Sequence, residues 1–570
     1  MKRTGKVLVL GDDARSFLAV VRSLGRKGID VHTAWASPAC PTLRSRYVST
    51  NHAIPAFLPG SDVWIAAFES LLHRERFDLV IPCDDPRILP LQKERERLLR
   101  AARIELLEPE IQRITSSKQE SHALASRLGV PVARSILVKS ESELDAAIPA
   151  LSAPYVIKPL FSFTLERLQT RYEVKKAFSL DEAHRLGRWL LKTSALQIQE
   201  NFVGVGVGVE FLAARGEILT IFQHLRIHEP LHGGGSSYRS AVEVHGQMRA
   251  AAEAIVRQLQ YDGVGMVEFK WNPTSDRFIF IEVNGRFWGS LPLALSCGAD
   301  FPAFLYDYRV HGRREFPRRF RTNLYARNWS DDIDWFRANA SASRTDPTLA
   351  TLPWSKVAPE IWHIVSGRER IDTLTLDDPY PFVLEVVGWT GAKSKGLGKK
   401  ALRSFRQLRW IRARQSSRLK ERVRTARHVE FVCYGNIMRS PYVSTVVSAH
   451  PGATRSRATF GSSGFHHVTG RSCPVEAVVA ARERGVDLSS HRSRRIDRET
   501  VVKSDVILVF DWDNLQQLEA EFPEAKGKAF LLGIFDQEKH VAITDPFGQP
   551  AHVVRETYSR IDSIVRSMFG

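Results

Sequence analysis

The sequence predicts an α/β protein of several domains. Three observations lead there. At 570 residues the chain is too long for one hydrophobic core, and three or four domains are expected. Short apolar runs end in glycine or acidic turns, as in GKVLVLGD (5–12) and FDLVIPCDD (77–85), the pattern of strands buried in a parallel sheet. Elsewhere the pattern alternates, as in VGVGVGVE (203–210), which suits strands with two different faces.

Composition narrows the class. The chain is 43% hydrophobic and 25% charged, ordinary for a globular protein. The five cysteines (40, 83, 297, 433 and 473) lack metal-ligand spacing, which argues against a disulfide framework and a structural zinc site. The opening MKRTGKVLVLGDDARS has too short an apolar run for a signal peptide, and no run is long enough to span a membrane. A cytoplasmic location is the expectation. The net charge is +18, yet residues 393–427 hold fourteen Lys/Arg against one acid, Glu421. The high pI therefore describes one segment.

In chain order, 5–12 is a buried strand, 14–28 an amphipathic helix and 31–34 the next strand. The turn reads Gly11-Asp-Asp-Ala-Arg15, so a dinucleotide fingerprint is missing. Asp84 and Asp85 stand where open sheets place ligands, though a helix N-cap explains them equally well. Lys118 opens a helix, and Lys158 ends a strand beside Pro159, a position suited to a nucleotide phosphate or to solvent. In 203–210 the valines share one face, with Gly204, Gly206, Gly208 and Glu210 on the other. Such a bare face admits either a flat ligand or close packing.

The deciding stretch is GVGMVEFK (263–270) followed by FIFIEVNGR (278–286). Two neighbouring strands each carry a carboxylate, Glu268 and Glu282, with Asn284 on the same face as Glu282. Two carboxylates and an amide oxygen suit Mg²⁺, and Arg286 is placed for a phosphate. Together these pieces resemble the ATP-grasp superfamily, in its carbamoyl-phosphate-synthase-like branch, over about residues 1–310. The resemblance implies a pre-ATP-grasp α/β domain (1–110) and a two-lobed α+β ATP-grasp domain (111–312). It implies ATP with Mg²⁺ or Mn²⁺ as cofactors. Lys118, Lys158 and Arg286 would contact phosphates, Glu200 and Val203 would form the adenine hinge, and Glu210 would reach the ribose. Glu268, Glu282 and Asn284 would hold the metal, and 232–238 (HGGGSSY) would lie near the acceptor. The expected activity joins a small carboxylate to an amine; the alternative is an ATP-binding regulator of the C-terminal part. One departure stands out: the loop after Lys158-Pro159 has no glycine, where the family's phosphate lid usually does.

Residues 313–390 are expected to form a helical extension without chemistry. The segment 391–427 carries a narrow apolar stripe (Leu402, Phe405, Leu408, Ile411, Leu419, Val423) amid Arg and Lys. It suits an anionic membrane surface or a plain linker. Charge alone would also allow nucleic acid, but no recognition fold accompanies it.

Residues 428–442, HVEFVCYGNIMRSPY, organise the C-terminal part. A strand ends in Cys433, five residues form a loop, and Arg439 and Ser440 follow. Such a loop can converge its backbone N–H groups on an anion, with Arg439 adding a planar fork and Cys433 at the floor. The stretch resembles the low-molecular-weight protein tyrosine phosphatases over residues 428–570. Ser462-Ser463-Gly464, 485–492 (GVDLSSHR), 505–511 (DVILVFD) with Asn514, and 545–548 (DPFG) match the family in order. The resemblance implies a central parallel four-stranded sheet, Cys433 as nucleophile, Arg439 as phosphate ligand and Asp545 as general acid. Asn436 and Ser440 would fix the loop and the thiolate. A phosphotyrosine protein is the expected substrate, with phosphoarginine or a small phosphate ester as alternatives. Met438 stands where many relatives have a second cysteine, so protection by a neighbouring thiol is not expected. Phe547 replaces a commoner tyrosine.

Overall fold

Four strands open the chain: β1 (Lys6–Leu10), β2 (Asp30–Ala34), β3 (Val48–His52) and β4 (Leu79–Pro82). They pair in parallel in the order β3-β2-β1-β4. The unbroken apolar run of β1 has a simple cause, because both its faces are covered. Val7 and Val9 pack with Phe17 and Leu24 of the helix Ser16–Arg26, while Leu8 and Leu10 pack with Trp64 and Phe68 of the helix Val63–Glu75. The computed structural model describes residues 5–231, 234–343, 349–391, 409–454, 458–536 and 541–569. The chain divides into two units, Met1–Gly391 and Ala392–Gly570.

The first unit continues with a small lobe of β5 (Ser135–Val138), β6 (Tyr155–Pro159), β7 (Lys175–Ala177) and β8 (Leu196–Glu200), antiparallel in the order β5-β8-β6-β7. A larger sheet follows: β9 (Val205–Ala214), β10 (Glu217–His228), β11 (Tyr238–Val242), β12 (Gly263–Asn272), β13 (Arg277–Asn284), β14 (Tyr325–Arg327) and β15 (Glu369–Ile371). Its order is β13-β12-β9-β10-β11-β14-β15. The segment expected to be a helical extension thus contributes two strands as well as helices. At three residues each, β14 and β15 are too short to show a period of two in the sequence.

The bare face of β9 is used for packing between neighbouring strands. A Cβ on Gly206 would strike Arg226, and one on Gly208 would strike His224, both from β10. These glycines therefore give Arg226 room to lie across the sheet toward Glu268.

The second unit contains β16 (His428–Cys433), β17 (Thr459–Gly464), β18 (Val506–Val509) and β19 (Ala529–Leu531). They form the expected parallel four-stranded sheet, in the order β17-β16-β18-β19. The helices Arg439–Ser448 and Ala551–Phe569 cover one face, and Val501, Leu515 and Leu518 close the other. The basic segment enters this unit as a helix, Arg409–Thr425. Its Leu419 and Val423 are buried in the sheet's core, and Arg422 donates to Gly527 O over 2.9 Å. The end of the supposed linker is thus part of the unit, while Leu402, Phe405 and Leu408 lie outside the described residues. Among the described residues, no helix is long and apolar enough to cross a membrane.

Candidate active sites

The loop between β16 and the helix Arg439–Ser448 is held from several sides. Cys433 ends the strand with 3% exposure, and its Sγ accepts from Asn436 N at 3.2 Å. Ser440 Oγ lies 3.0 Å from the same sulfur. Asn436 turns the chain with φ of +50°, a left-handed conformation that asparagine tolerates better than most residues. Its side chain donates to Ser440 Oγ (3.0 Å) and Ser462 Oγ (3.1 Å) and accepts from Arg494 N (2.8 Å). Its carbonyl accepts from His491 Nε2 over 2.8 Å. Gly464 lets β17 pass beneath, since a Cβ there would meet the loop backbone at 2.8 to 2.9 Å. The small-residue signal in Ser462-Ser463-Gly464 has this close approach as its reason.

Arg439 is 1% exposed. Its Nη1 donates to Asp511 Oδ2 (2.8 Å) and Ile543 O (2.9 Å), and its Nη2 to Asp545 Oδ2 (2.6 Å). Its Nε is buried with no hydrogen-bond partner among the described residues. A buried, unpaired guanidinium N–H is costly, and an oxyanion in the cradle satisfies it. The Asp545 carboxylate is 43% exposed and also accepts from Phe547 N, which folds the loop back on it. Tyr434 and Phe547 stand exposed nearby in sequence, at 50% and 53%. Cys473 shares the core cluster of Cys433, and burial together with that neighbour pushes its thiol up to about 11. Sequence reasoning named the five central residues and quoted Ser462 and Asp511 within family motifs without giving them a role. It passed over Arg494, whose bond to the loop no local spacing announces.

In the first unit, a cavity of about 320 Å³ is lined by Lys118, Arg171, Glu282, Asn284 and Arg286, among others. Glu268 and Glu282 are cross-strand partners on β12 and β13, and Asn284 Nδ2 lies 3.4 Å from Glu282 Oε1. Burial alone would raise the Glu282 carboxyl, but Lys118, Arg171, Lys158 and Arg286 together hold it below its usual value. Glu268 goes the other way: burial raises it, opposed by Arg226, whose Nη2 lies 2.6 Å away. Lys158 is buried, and desolvation brings its ammonium down to about 8. Lys118 Nζ donates to Ser162 Oγ (3.1 Å), tying the helix Lys118–Arg127 to the glycine-free loop. That loop closes on itself through Tyr172 N to Ser162 O (2.9 Å) and Arg167 over the Tyr172 ring (4.3 Å). Lys118, Arg171, Arg286, Asp85 and Glu282 around one cavity fit a metal-bound polyphosphate, while the expected Glu268 and Lys158 are not part of its lining.

Several expected residues sit outside this cavity. Glu210 is fully buried, bonded to His224 Nδ1 and Ser290 Oγ at 2.8 Å each, in a closed polar cluster of the large sheet. That placement contradicts a ribose contact, and burial raises its carboxyl well above the usual range. The period-two pattern put it on a sheet face correctly but could not tell which layer covers that face. Val203 is 73% exposed, and Glu200 accepts from Ser152 N at 3.0 Å. Both follow from β8 ending at the lobe boundary. Arg286 lines the cavity and pairs with Asp85 Oδ2 at 3.0 Å. Asp84 caps the helix Asp85–Lys93 through Arg87 N, so the two acids divide the two roles between them. His232 and Gly233 lie outside the described residues. Arg171 and Arg226 were not singled out from sequence, because a lone arginine in a loop or strand carries no pattern.

A cysteine at the floor of an arginine-closed anion cradle, with an acid beside it, defines a cysteine-based phosphatase site. Comparison agrees. The model of the "Low molecular weight phosphotyrosine protein phosphatase" family matches residues 428–569. A probable low molecular weight protein-tyrosine-phosphatase of Ralstonia solanacearum is 31% identical over 117 residues, 20% of this chain and 75% of that protein. A protein-arginine-phosphatase of Geobacillus stearothermophilus is 28% identical over 137 residues, 24% of this chain and 88% of that one. Through this segment the chain belongs to the low-molecular-weight protein-tyrosine-phosphatase family. The "Carbamoyl-phosphate synthase L chain, ATP binding domain" model matches residues 241–301, which span β12 and β13. The chain thus carries a segment that matches an ATP-binding domain model in addition to its phosphatase segment. Among solved structures, N5-carboxyaminoimidazole synthetase of Staphylococcus aureus with ADP is similar at 14% identity and a TM-score of 0.46, over 57% of this chain and 82% of that one.

Proposed function

We propose that the second unit hydrolyses protein phosphotyrosine and that the first joins a small carboxylate to an amine at the expense of ATP. The observation that carries the phosphatase reading is the set of donors facing Cys433. Asn436 N donates to the Cys433 sulfur, and the Arg439 Nε is buried without a hydrogen-bond partner among the described residues, which supports a phosphoryl group bound between them.

In the mechanism, Cys433 sulfur attacks phosphorus in line. The S–P bond forms as the P–O bond to the leaving group breaks, and Asp545 gives its proton to that oxygen. Arg439 and the loop N–H groups bind the equatorial oxygens, where charge builds in the transition state. Asp545 then takes a proton from a water that attacks the cysteinyl-phosphate, releasing phosphate and the Cys433 thiolate. Ser440 and Asn436 hold the sulfur and the loop. Tyr434 and Phe547 supply apolar faces for an aryl group, which favours phosphotyrosine over phosphoarginine.

In the first unit, Glu282, Asn284 and Glu268 would hold Mg²⁺ (or Mn²⁺), which when bound neutralises phosphate charge. Lys118, Lys158, Arg171 and Arg286 would position the phosphates. The deeply set carboxylates support turnover rather than mere nucleotide sensing.

The test compares the intact protein with Cys433→Ser on a phosphotyrosine peptide and a phosphoarginine peptide. Hydrolysis of the tyrosine peptide by the parent alone is expected. Undiminished hydrolysis by Cys433→Ser would end this reading.

A further inference from the structure

Far in sequence from the phosphatase loop and apart from the Glu282 cavity, the edge of the first sheet gathers a second set of ligand-type side chains. His32 lies on β2, His52 ends the edge strand β3, and Glu75 ends the helix Val63–Glu75. One ligand atom from each lies within 4.8 Å of the others. The two imidazoles stack with centroids 5.0 Å apart, and His32 Nδ1 faces His52 Nε2 at 2.8 Å. Phe77 stands edge-on to both rings and walls off one side.

We propose that His32 Nδ1, His52 Nε2 and the Glu75 carboxylate form a binding site for a divalent transition-metal ion of the zinc class. Two imidazoles and one carboxylate favour zinc, cobalt, nickel or copper over magnesium or calcium. Donors bound at zinc distances stand about 3.3 Å apart around a tetrahedron, so closing the site needs shifts of about an ångström. The fourth position is left to water.

The surroundings suit this role. Asp30 Oδ2 lies 3.4 Å from His32 Nε2, so it takes the proton on that nitrogen and leaves Nδ1 as a lone pair toward His52. A carboxylate behind a ligating histidine is the usual means of fixing its tautomer. Burial lowers the proton affinity of both imidazoles, and Lys6 and Arg74 hold the Glu75 carboxyl down to about 2. Lys6 Nζ bonds Glu75 Oε2 and the Glu75 carbonyl, and Arg74 Nε lies 3.0 Å from Oε1. A carboxylate has about four lone-pair sites, and the Arg74 side chain is 62% exposed, free to swing aside. A bound ion would clip the edge strand β3 to β2 and to the helix Val63–Glu75 that follows it.

No local spacing announces this cluster, because the ligands fall 20 and 23 residues apart on separate elements. The test uses full-length Cys433→Ser/Glu282→Ala protein, so that neither proposed active site competes for metal. After chelator stripping it is titrated with Co²⁺ and, separately, with Zn²⁺. One equivalent of Co²⁺ should bind with visible d–d absorption, and Zn²⁺ should raise the melting temperature. His52→Ala should abolish both signals, and Glu75→Gln should weaken binding at least tenfold while circular dichroism shows the fold retained. No binding by the parent at 100-fold excess Zn²⁺, or equal stoichiometry in parent, His52→Ala and Glu75→Gln, would overturn the assignment.

Discussion

Arg439 Nη2 donates to Asp545 Oδ2 over 2.6 Å, linking the phosphate ligand to the acid beside it. On the proposed mechanism, a phosphoryl group entering the cradle would compete for that guanidinium and free Asp545 toward the leaving oxygen. Asp545→Asn should lower kcat on aryl phosphates by about 10² to 10⁴, the range of general acid catalysis, with KM little changed. A leaving group that needs no proton should recover most of the loss. Rates on a series of aryl phosphates check this.

Asn436 combines a left-handed backbone with four hydrogen bonds that position the loop. Asn436→Ala raises the cost of the left-handed backbone and removes the three side-chain bonds. The second unit should lose about 1–3 kcal/mol of stability, and kcat should fall further than KM rises. Denaturant melts and steady-state rates measure both.

These two residues show how the sequence was readable. The fold of both halves was legible because strands buried on two faces, such as Val7–Leu10 and Val506–Val509, leave unbroken apolar runs. The active-site loop was legible because its chemistry is local, eight residues from Cys433 to Ser440. Arg171, Arg226 and Arg494 were not, since each works across strands or loops far apart in the chain. Glu210 misled for the opposite reason: its face was right, but Ser290 and His224 cover it.

Burial brings Lys158 down to about 8, against 10.5 in water. It carries its charge below pH 8 and loses it above. MgATP binding should therefore weaken as pH rises from 7.5 to 9.5, approaching tenfold per unit above 8, with proton uptake on binding near pH 8.5. The folded-state value is depressed, so this lysine's own contribution to stability is full above 10.5 and falls away as pH drops through 8. Calorimetry in two buffers of different ionisation enthalpy reads the proton, and Lys158→Met should remove the pH dependence.

Met438 is 2% exposed beside the nucleophile, and Cys473 has its thiol pushed up to about 11. No ready thiolate lies at hand to trap oxidised Cys433. Peroxide should convert Cys433 to sulfinic and sulfonic acids, and thiol reductant should restore little activity. Mass spectrometry should find added oxygens on Cys433 rather than a bond to Cys473.

One chain is proposed to carry two activities, and ATP turnover tests the ligase directly. Cys433→Ser protein would be incubated with MgATP and pools of amino acids and small carboxylates, with ADP and phosphate measured. Cys433→Ser/Glu282→Ala serves as the blank. ADP release that depends on one pool and vanishes in the blank is the expected result. Tight ATP binding with no release above the blank for any pool would contradict the ligase and leave a nucleotide-binding regulator of the phosphatase.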